Sequence, residues 1–345
     1  MTKSKPANKY PFVSVCTPTF NRRPFIKTML ECFRNQDYPK SRVEWIIVDD
    51  GTDKIGDLLQ ASNIPQIKYF PLDKKIALGA KRNLMHEKTK GSIIVYMDDD
   101  DYYPPERISH AVERLQQNPL ALCAGSSEIY IYFKHIQQMV QFGPYGPNHA
   151  TAGTFAFRRE LLDQCRYDET AAIAEEKAFL KNYTIPFVQL DPLKAILVFS
   201  HEQNTFDKRK LLDMPNPQYQ KVSDKTVDMF IRGGEKESAI KKYFMEDIGP
   251  LLDAYAPGDP SLKPDVLEQI KKIEADRNKM IADMQKQQQT NNVGGGQIMM
   301  QNPGEAPRAL NHQEIIHLIQ TQQQQIQGLL QRNAELEKAI NEMKW

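Results

Sequence analysis

Four consecutive carboxylates stand in the stretch YMDDDDYYPP (96–105), directly after an apolar run. Adjacent carboxylates repel one another and raise each other's pKa values, so four in a row are unfavourable unless a cation lies near them. Carboxylate oxygens are ligands that suit Mg²⁺ or Mn²⁺. We call Asp98–Asp101 the aspartate quartet. It indicates a divalent metal site, against the alternative of a solvated acidic turn.

Two further charged clusters follow other short apolar runs. Asp49 and Asp50 end the run EWIIV, and Lys81 and Arg82 stand in the sequence GAKRN. A site with both signs of charge can bind a metal ion together with a phosphate group, because lysine and arginine neutralise the phosphate oxygens that the metal leaves uncovered. The pattern predicts a site for a metal-bound phosphate ligand.

The apolar runs are short, rich in Val, Ile and aromatic residues, and bounded by Pro, Gly, Asp or Asn, which is typical of strands. They are FVSVC (12–16), EWIIV (44–48), QIKYF (66–70) and SIIVYM (92–97). Segments of helical period lie between them, beginning after Pro24 and after Pro104–Pro105. This alternation predicts an α/β fold, with a mostly parallel sheet flanked by helices and ligands at the carboxyl ends of the strands.

Composition excludes several classes of protein. The 45 Lys and Arg nearly cancel the 44 Asp and Glu, so no overall field attracts nucleic acid or an anionic membrane. No apolar run approaches the roughly 20 residues that span a bilayer, and the first residues lack an apolar signal core. The four widely spaced cysteines favour reduced thiols. We expect a cytoplasmic protein with no transmembrane segment and no nucleic-acid partner.

The order of six motifs is similar to that of family 2 glycosyltransferases, which have the GT-A fold. The motifs are PTFNR (18–22), IIVDDG (46–51), GAKRN (79–83), MDDDDYYPP (97–105), GTFAFRREL (153–161) and EE (175–176). The resemblance covers roughly residues 11–205. It implies an inverting transfer of a sugar from a nucleotide-diphosphate sugar, with a UDP-sugar expected, to a glycan, protein or lipid acceptor. It also implies Mn²⁺ or Mg²⁺ as the cofactor.

The resemblance also implies roles for individual residues in binding the donor. Those assigned to the nucleotide base and ribose are Thr17, Pro18, Thr19, Asn21 and either Asp49 or Asp50. Those assigned to the neighbourhood of the diphosphate are Lys81, Arg82 and Asn83.

The DxD motif of the family matches Asp98-Asp99-Asp100. By this resemblance Asp98 lies near the ribose and the metal, Asp99 belongs to the donor site, and Asp100 binds the metal directly. Asp101 braces the loop. Some GT-A enzymes complete the metal shell with a late histidine, which implies His201 as a third ligand; the alternative is a structural histidine. Its followers Asn204, Lys208 and Arg209 could face a diphosphate.

The catalytic base implied by the resemblance comes from an acidic pair, here Glu175 and Glu176. The family usually has Glu-Asp at these positions, and its second position carries the base, so Glu176 is preferred and Glu175 stays open. The alternative is an acidic first turn of a helix, which the helix dipole favours in any protein.

Two other functions stay open at this point. A nucleotidyl or phosphoryl transferase also uses clustered aspartates and Mg²⁺, although the sequence has neither GxxxxGK[ST] nor GxGxxG. A non-catalytic scaffold with a GT-A body is the third interpretation, and the C-terminal third of the chain is the reason to keep it.

The chain divides by composition into five predicted parts. They are a flexible N-terminus (1–10), the GT-A domain (11–215), a helical extension (216–286) with a long helix at 266–284, a flexible linker (287–308) rich in Gly, Pro and Gln, and a C-terminal segment (309–345).

Mostly apolar residues in the C-terminal segment recur every seven positions in two series offset by four. The first series is Ile319, Ile326, Asn333 and Ile340, and the second is Ile315, Gln322, Leu329, Leu336 and Met343. This heptad pattern predicts a coiled coil. We expect a homo-oligomer formed through residues 311–345, or attachment to a larger assembly. The alternative is a single amphipathic helix docked on the catalytic body.

Overall fold

The computed structural model of the chain describes residues 9–173, 175–213, 216–293, 299–300 and 308–342. The chain divides into two compact units, Met1–Ile273 and Glu274–Trp345. The first unit contains a seven-stranded and a four-stranded sheet. The predicted α/β class, with a large and mostly parallel central sheet, is confirmed.

The described strands of the central sheet have the order β3-β2-β1-β4-β8-β5-β9. Their bounds are β1 Val13–Thr19, β2 Val43–Asp49, β3 Ile67–Pro71, β4 Ile93–Tyr96, β5 Cys123–Gly125, β8 Ala156–Arg158 and β9 Phe187–Gln189. The four predicted strands are β1 to β4, and they run parallel to one another. Their carboxyl ends therefore meet at one edge of the sheet, where the aspartate quartet follows β4.

Helices cover both faces of this sheet. Their bounds are α1 Arg23–Asn35, α2 Gly56–Ala61, α3 Leu78–Lys88, α4 Arg107–Gln117 and α5 Glu176–Phe179. Alternate residues of a strand point to opposite faces. Val15 accordingly shares a core with α1, α2 and α4, and Cys16 shares the opposite core with α3 and α5. All seven residues of β2 are buried, as expected for a parallel strand covered on both sides.

The four-stranded sheet has the order β10-β6-β7-β11. Its strands are β6 Ile129–Phe133, β7 Gln138–Phe142, β10 Val198–Ser200 and β11 Gln220–Val222. An isolated bridge between Tyr102 and Leu197 joins the segment after the quartet to the segment before β10. This bridge brings His201, which follows β10, towards the quartet.

Residues 227–253, which the sequence assigns to a helical extension, pack against the body of the first unit. They form α6 Val227–Phe230, α7 Glu235–Lys242, a π-helical turn Tyr243–Asp247 and α8 Ile248–Asp253. Phe230 and Phe244 are buried in one cluster with Phe199, and Leu252 is buried beside Phe25. The first unit therefore runs beyond residue 215 to Ile273. Helices this short hold too few apolar residues for periodicity to reveal their buried face.

The C-terminal third contains two long helices, α9 Pro264–Val293 and α10 His312–Glu342. The helix α9 includes the predicted helix at 266–284 and the first residues of the predicted linker; most of that linker lies outside the described residues. The second unit also contains a short hairpin of β12 Met299–Met300 and β13 Arg308–Ala309. Among the described helices, none combines the length and the apolar character needed to cross a membrane.

Candidate functional site

A cavity of about 400 Å³ lies at the carboxyl ends of the parallel strands. The predicted site residues in its wall are Pro18, Thr19, Lys81, Arg82, the aspartate quartet, Glu175 and Glu176. The predicted site residues that are buried and lie outside its wall are Thr17, Asn21, Asp49, Asp50, Asn83 and His201. The fold thus gathers the quartet, Lys81, Arg82 and the later acidic pair at one cavity, with Asp49 and Asp50 buried behind its wall.

The aspartate quartet is held in place by contacts with two segments that follow it in sequence. The backbone N–H of Asp98 donates to the Tyr103 hydroxyl over 2.8 Å, and that hydroxyl donates to the Gly153 carbonyl over 3.2 Å. A Cβ at Gly153 would come within 3.0 Å of Asp98 Oδ2. The glycine of the GTFAF stretch therefore gives the Asp98 carboxylate its space.

Three buried oxygens of the quartet, Asp98 Oδ1, Asp99 Oδ2 and Asp101 Oδ1, make no hydrogen bond with the described residues. Burial raises the pKa of all three carboxyls, and the charge of Asp100 raises them further; the pKa of Asp99 reaches about 7. Buried oxygens without a donor are unfavourable, and a bound cation removes that cost. This donor set fits a divalent cation.

A ready-made metal cluster is absent from the described part of the chain, where no three His, Cys, Asp or Glu side chains are grouped closely enough to hold a metal. Mg²⁺ characteristically binds to one or two carboxylates and completes its shell with water and substrate phosphates. The quartet fits this kind of site, in which the ligand brings part of the coordination shell.

Asp100 is kept in its ionised form by its neighbours. Its Oδ2 lies 3.3 Å from Arg22 Nη2 and 3.4 Å from His201 Nε2. Burial acts to raise the pKa of Asp100, but Arg22, His201 and Lys208 together hold it well below its usual value. Of the four aspartates, Asp100 thus has the environment that best suits a permanent metal ligand.

His201 touches the quartet from behind the cavity wall. Its ring packs against Phe25 at 4.8 Å between centroids with a tilt of 41°, and its Nε2 lies 2.7 Å from Asn204 Nδ2. Burial lowers the pKa of His201 to about 4, so the imidazole is neutral at pH 7, which is the form that binds metals. His201 is therefore chemically suited to be a metal ligand. It would bind a metal from the same side of the cavity as Asp100.

Arg22 is a site residue that the sequence analysis does not identify. It lines the cavity, its Nε lies 3.6 Å from Asp99 Oδ1, and its Nη1 donates to the Gln203 carbonyl over 2.6 Å. Its place at the end of the PTFNR motif is the one signal for it in the sequence. Only the fold shows that it faces the quartet and balances two of its charges.

The acidic pair after β2 forms contacts within the protein. Asp50 forms an ion pair with Lys81, and Asp49 accepts hydrogen bonds from the backbone N–H groups of Gly51 and Ile55 at 2.9 and 3.1 Å. Asp49 thus stabilises the turn after the strand. Asp50 acts on the cavity through Lys81, which lies in the wall.

Arg82 and Glu175 form a buried ion pair in the cavity wall. Arg82 Nε lies 2.7 Å from Glu175 Oε1, and each side chain is 4% exposed. The Arg82 guanidinium also stacks over the ring of Tyr96 at 4.4 Å, and its Nη2 lies 4.0 Å from Asp98 Oδ1. Glu175 is therefore occupied by Arg82, while Arg82 keeps donors near the quartet.

Glu176 differs from Glu175 in having no ion pair with the described residues. It is the first residue of α5 and lies in the cavity wall. Burial, followed by the charge of Glu175, raises the pKa of Glu176 to about 7. A carboxylate with a pKa near the working pH is well suited to act as a general base.

Three residues predicted to bind the donor form the frame behind the wall. The Thr17 hydroxyl donates to the Met97 carbonyl over 2.5 Å, and Asn83 Nδ2 donates to the Tyr167 carbonyl over 3.0 Å. Asn21 adopts a positive φ of 52°, a backbone conformation that asparagine tolerates better than most residues. These residues stabilise the loops whose other residues line the cavity.

Besides Lys81, three lysines that lie outside the six motifs line the cavity wall. Lys75 precedes α3, Lys208 follows β10, and Lys263 precedes α9. The sequence analysis considers Lys208, but it overlooks Lys75 and Lys263. Lys263 had no signal in the sequence, because it lies beyond the predicted limit of the domain.

Comparison with known families gives one match that covers the quartet and both charged clusters. Residues 14–166 match the family described as Glycosyl transferase family 2. The matched segment ends before the Glu175–Glu176 pair, His201 and Lys263.

Two curated relatives illustrate how far the similarity extends. Poly(ribitol-phosphate) beta-N-acetylglucosaminyltransferase TarS of Staphylococcus aureus is 28% identical over 108 residues, which are 30% of this chain and 19% of TarS. Glycosyltransferase AglE of Haloferax volcanii is 28% identical over 122 residues, which are 34% of this chain and 40% of AglE. The chain thus spans less than half of the length of either relative.

Among solved structures, the mannosyltransferase PcManGT from Pyrobaculum calidifontis, in complex with GDP-Man and Mn²⁺, gives a TM-score of 0.45 at 15% identity. The match covers 77% of this chain and 75% of that one. Because this TM-score is below 0.5, the comparison with the family rests on the sequence match alone. The resemblance to family 2 glycosyltransferases is confirmed for residues 14–166, which contain five of the six motifs and match the model of that family.

Proposed function

We propose that this protein is a metal-dependent, inverting glycosyltransferase that moves a sugar from a nucleotide-diphosphate sugar to an acceptor hydroxyl. The observation that carries the proposal is the set of buried carboxylate oxygens that accept no hydrogen bond from the described residues, in one cavity with lysines, arginines and Glu176. Carboxylates beside such cations suit a diphosphate chelated to Mn²⁺ or Mg²⁺. The family 2 domain supports the same class of reaction, and the resemblance favours a UDP-sugar.

Binding of the donor is assigned to residues of the wall. Pro18 and Thr19, at the end of β1, are proposed to contact the nucleotide, with Asp98 near the ribose. Positive charge for the diphosphate is assigned to Lys81, Arg82 and Lys208, of which Lys208 forms no ion pair with the described residues. We assign Asp100 as the direct metal ligand. Asp98 and His201 form no ready-made three-ligand cluster with it among the described residues, so we propose that they join it only when the donor is bound.

Proton transfer is assigned to Glu176. Its carboxylate accepts the proton of the acceptor hydroxyl while that oxygen attacks the anomeric carbon from the side opposite the diphosphate. Holding donor and acceptor in one cavity supplies proximity. A bound divalent cation supplies Lewis-acid stabilisation of the charge on the leaving diphosphate. Glu175, through its ion pair with Arg82, holds the Arg82 guanidinium near the quartet.

Metal removal gives the direct test of this function. We expect the protein to release free nucleoside diphosphate from one member of a panel of nucleotide sugars when Mn²⁺ or Mg²⁺ is present. Chelation by EDTA should abolish release, and added Mn²⁺ should restore it, because the quartet cannot hold the diphosphate without a cation. Failure to bind or turn over any donor would contradict the proposal, and turnover of a nucleoside triphosphate instead would indicate a nucleotidyltransferase.

We also propose that the C-terminal segment joins copies of this chain. Residues 312–342 of the segment form one helix, α10, on which Ile319, Ile326 and Leu329 are 50%, 56% and 64% exposed. Leu336, Ile340 and Met343 of the predicted heptads lie outside the described side chains. Exposed apolar residues at heptad spacing support a coiled coil between chains.

Sedimentation equilibrium of the full chain tests this assembly. The wild type is expected to sediment as an oligomer, and the double change Ile319→Glu with Ile326→Glu is expected to give monomers, since it buries charge in the heptad seam. Gln324→Glu, on the same helix but outside both heptad series, serves as the control and should leave the mass unchanged. A monomeric wild type at high concentration would contradict self-association.

A further inference from the structure

The segment of residues 255–266, which leads into α9, forms part of the cavity wall and is fixed to the body on both sides of Lys263. Asn21 Nδ2 donates to the Pro257 carbonyl over 2.7 Å. Lys75 Nζ lies 2.5 Å from Asp265 Oδ2. Lys263 is held between these two anchors and lines the cavity. It lies almost 100 residues beyond the end of the matched family 2 segment.

Lys263 is a buried cation that forms no ion pair with the described carboxylates. It is 6% exposed, and its Nζ lies 3.4 Å from the Thr205 hydroxyl and 5.8 Å from the centre of the Phe20 ring. Burial, followed by the charge of Arg22, lowers the pKa of Lys263 to about 7. An ammonium group buried without an ion-pair partner is unfavourable, so the charged form of Lys263 carries a free-energy cost in the free protein.

Most other cations of the wall have a carboxylate partner. The pairs are Lys75 with Asp265, Lys81 with Asp50, Arg82 with Glu175, and Arg22 with Asp99 and Asp100. Lys208 and Lys263 form no such pair within the described part of the chain. These two lysines are therefore the wall cations that an anionic ligand in the cavity would stabilise most.

We propose that Lys263 binds the diphosphate of the nucleotide-sugar donor, an inference that rests on the function proposed above. A lysine ammonium is a compact charge with three donors and binds phosphate oxygens well. Arg22, Asp99 and Asp100 line the same cavity as Lys263. We assign Asp100 to the metal that the diphosphate would bind. The 255–266 segment thereby completes a donor site that the family 2 domain alone leaves unfinished.

Calorimetric titration of the full chain with UDP and GDP, and with uridine and guanosine, tests the proposal in the presence of Mn²⁺. For the nucleotide that binds, Lys263→Met is expected to weaken diphosphate affinity by about 10- to 100-fold, the size of a hydrogen bond to a charged group. Affinity for the matching nucleoside should stay the same, because it has no phosphate. Lys263→Arg should retain most of the diphosphate affinity.

Lys271→Met, which removes an exposed lysine of the same helix α9, is the matched control and should bind UDP and GDP like the wild type. Equal losses for diphosphate and nucleoside in Lys263→Met would show a merely structural lysine and overturn the inference. Unchanged diphosphate affinity would overturn it too. If the wild type binds neither UDP nor GDP, the titration is extended to ADP, CDP and dTDP, and failure to bind any of the five contradicts the proposed function and the role of Lys263 with it.

Discussion

Replacing Glu176 with glutamine is expected to lower kcat by about 10²- to 10⁴-fold, the usual contribution of a general base. Glutamine keeps the size of the side chain but cannot accept the acceptor's proton. Because Glu176 forms no ion pair with the described residues, the change should leave donor affinity and melting temperature nearly unaltered. The measurement is steady-state transfer to the acceptor, with donor binding and thermal unfolding measured in parallel.

Two other glutamates, Glu175 and Glu160, give contrasting controls for this prediction. Glu175→Gln removes the charge that faces Arg82 in a buried pair, and breaking such a pair costs about 3–5 kcal/mol. Its main effect should be a lower melting temperature. Glu160→Gln changes an exposed glutamate and should alter neither property. If Glu176→Gln retains full kcat while Glu175→Gln loses kcat at an unchanged melting temperature, Glu175 is the base.

The pH dependence of the rate gives a second measure of Glu176. The carboxylate accepts a proton only when it is ionised, and burial together with Glu175 raises the pKa of Glu176 to about 7. The ionised fraction therefore grows as the pH rises, and kcat/KM of the wild type should increase up to about pH 7 and level off above it. Glu176→Gln has no such group and should lose this rise. A wild-type rate that is flat across this range would contradict the assignment.

The aspartate quartet and the strand that precedes it could be predicted because their signals are local. An apolar run followed by like charges is visible in ten residues, and the carboxyl ends of parallel strands must share an edge. The four predicted strands β1 to β4 accordingly place the quartet, the end of β1 and Lys81 at one cavity.

The pairing of charges around the quartet could not be predicted, because it depends on packing between distant segments. Asp50 pairs with Lys81 and Arg82 pairs with Glu175, which are 31 and 93 residues apart. A motif shows that these residues belong to the site, but not which of them are already neutralised. Lys263 reaches the cavity only because the segments after residue 215 pack on the body, and no periodic pattern marks that packing.

Replacing Asp100 with asparagine is expected to lower kcat/KM by about 10²- to 10³-fold, the range seen when one group that stabilises a developing negative charge is lost. Asparagine keeps the shape of the side chain and removes the charge that Arg22 and His201 hold ionised. A neutral amide is a weaker ligand for a hard cation than a carboxylate. The variant should therefore need more Mn²⁺ to reach its residual rate.

A thermal unfolding experiment with and without Mn²⁺ separates loss of the metal from loss of the fold. At a metal concentration of about 100 times its Kd, binding to the folded state stabilises the wild type by about 2.7 kcal/mol. Asp100→Asn should lose most of this gain, and Asp73→Asn, at an exposed aspartate outside the cavity wall, should keep it. A variant that keeps both its activity and its response to Mn²⁺ would exclude Asp100 as the ligand. The metal would then have to be held by Asp98, Asp99 or Asp101, the carboxylates whose buried oxygens lack hydrogen bonds with the described residues.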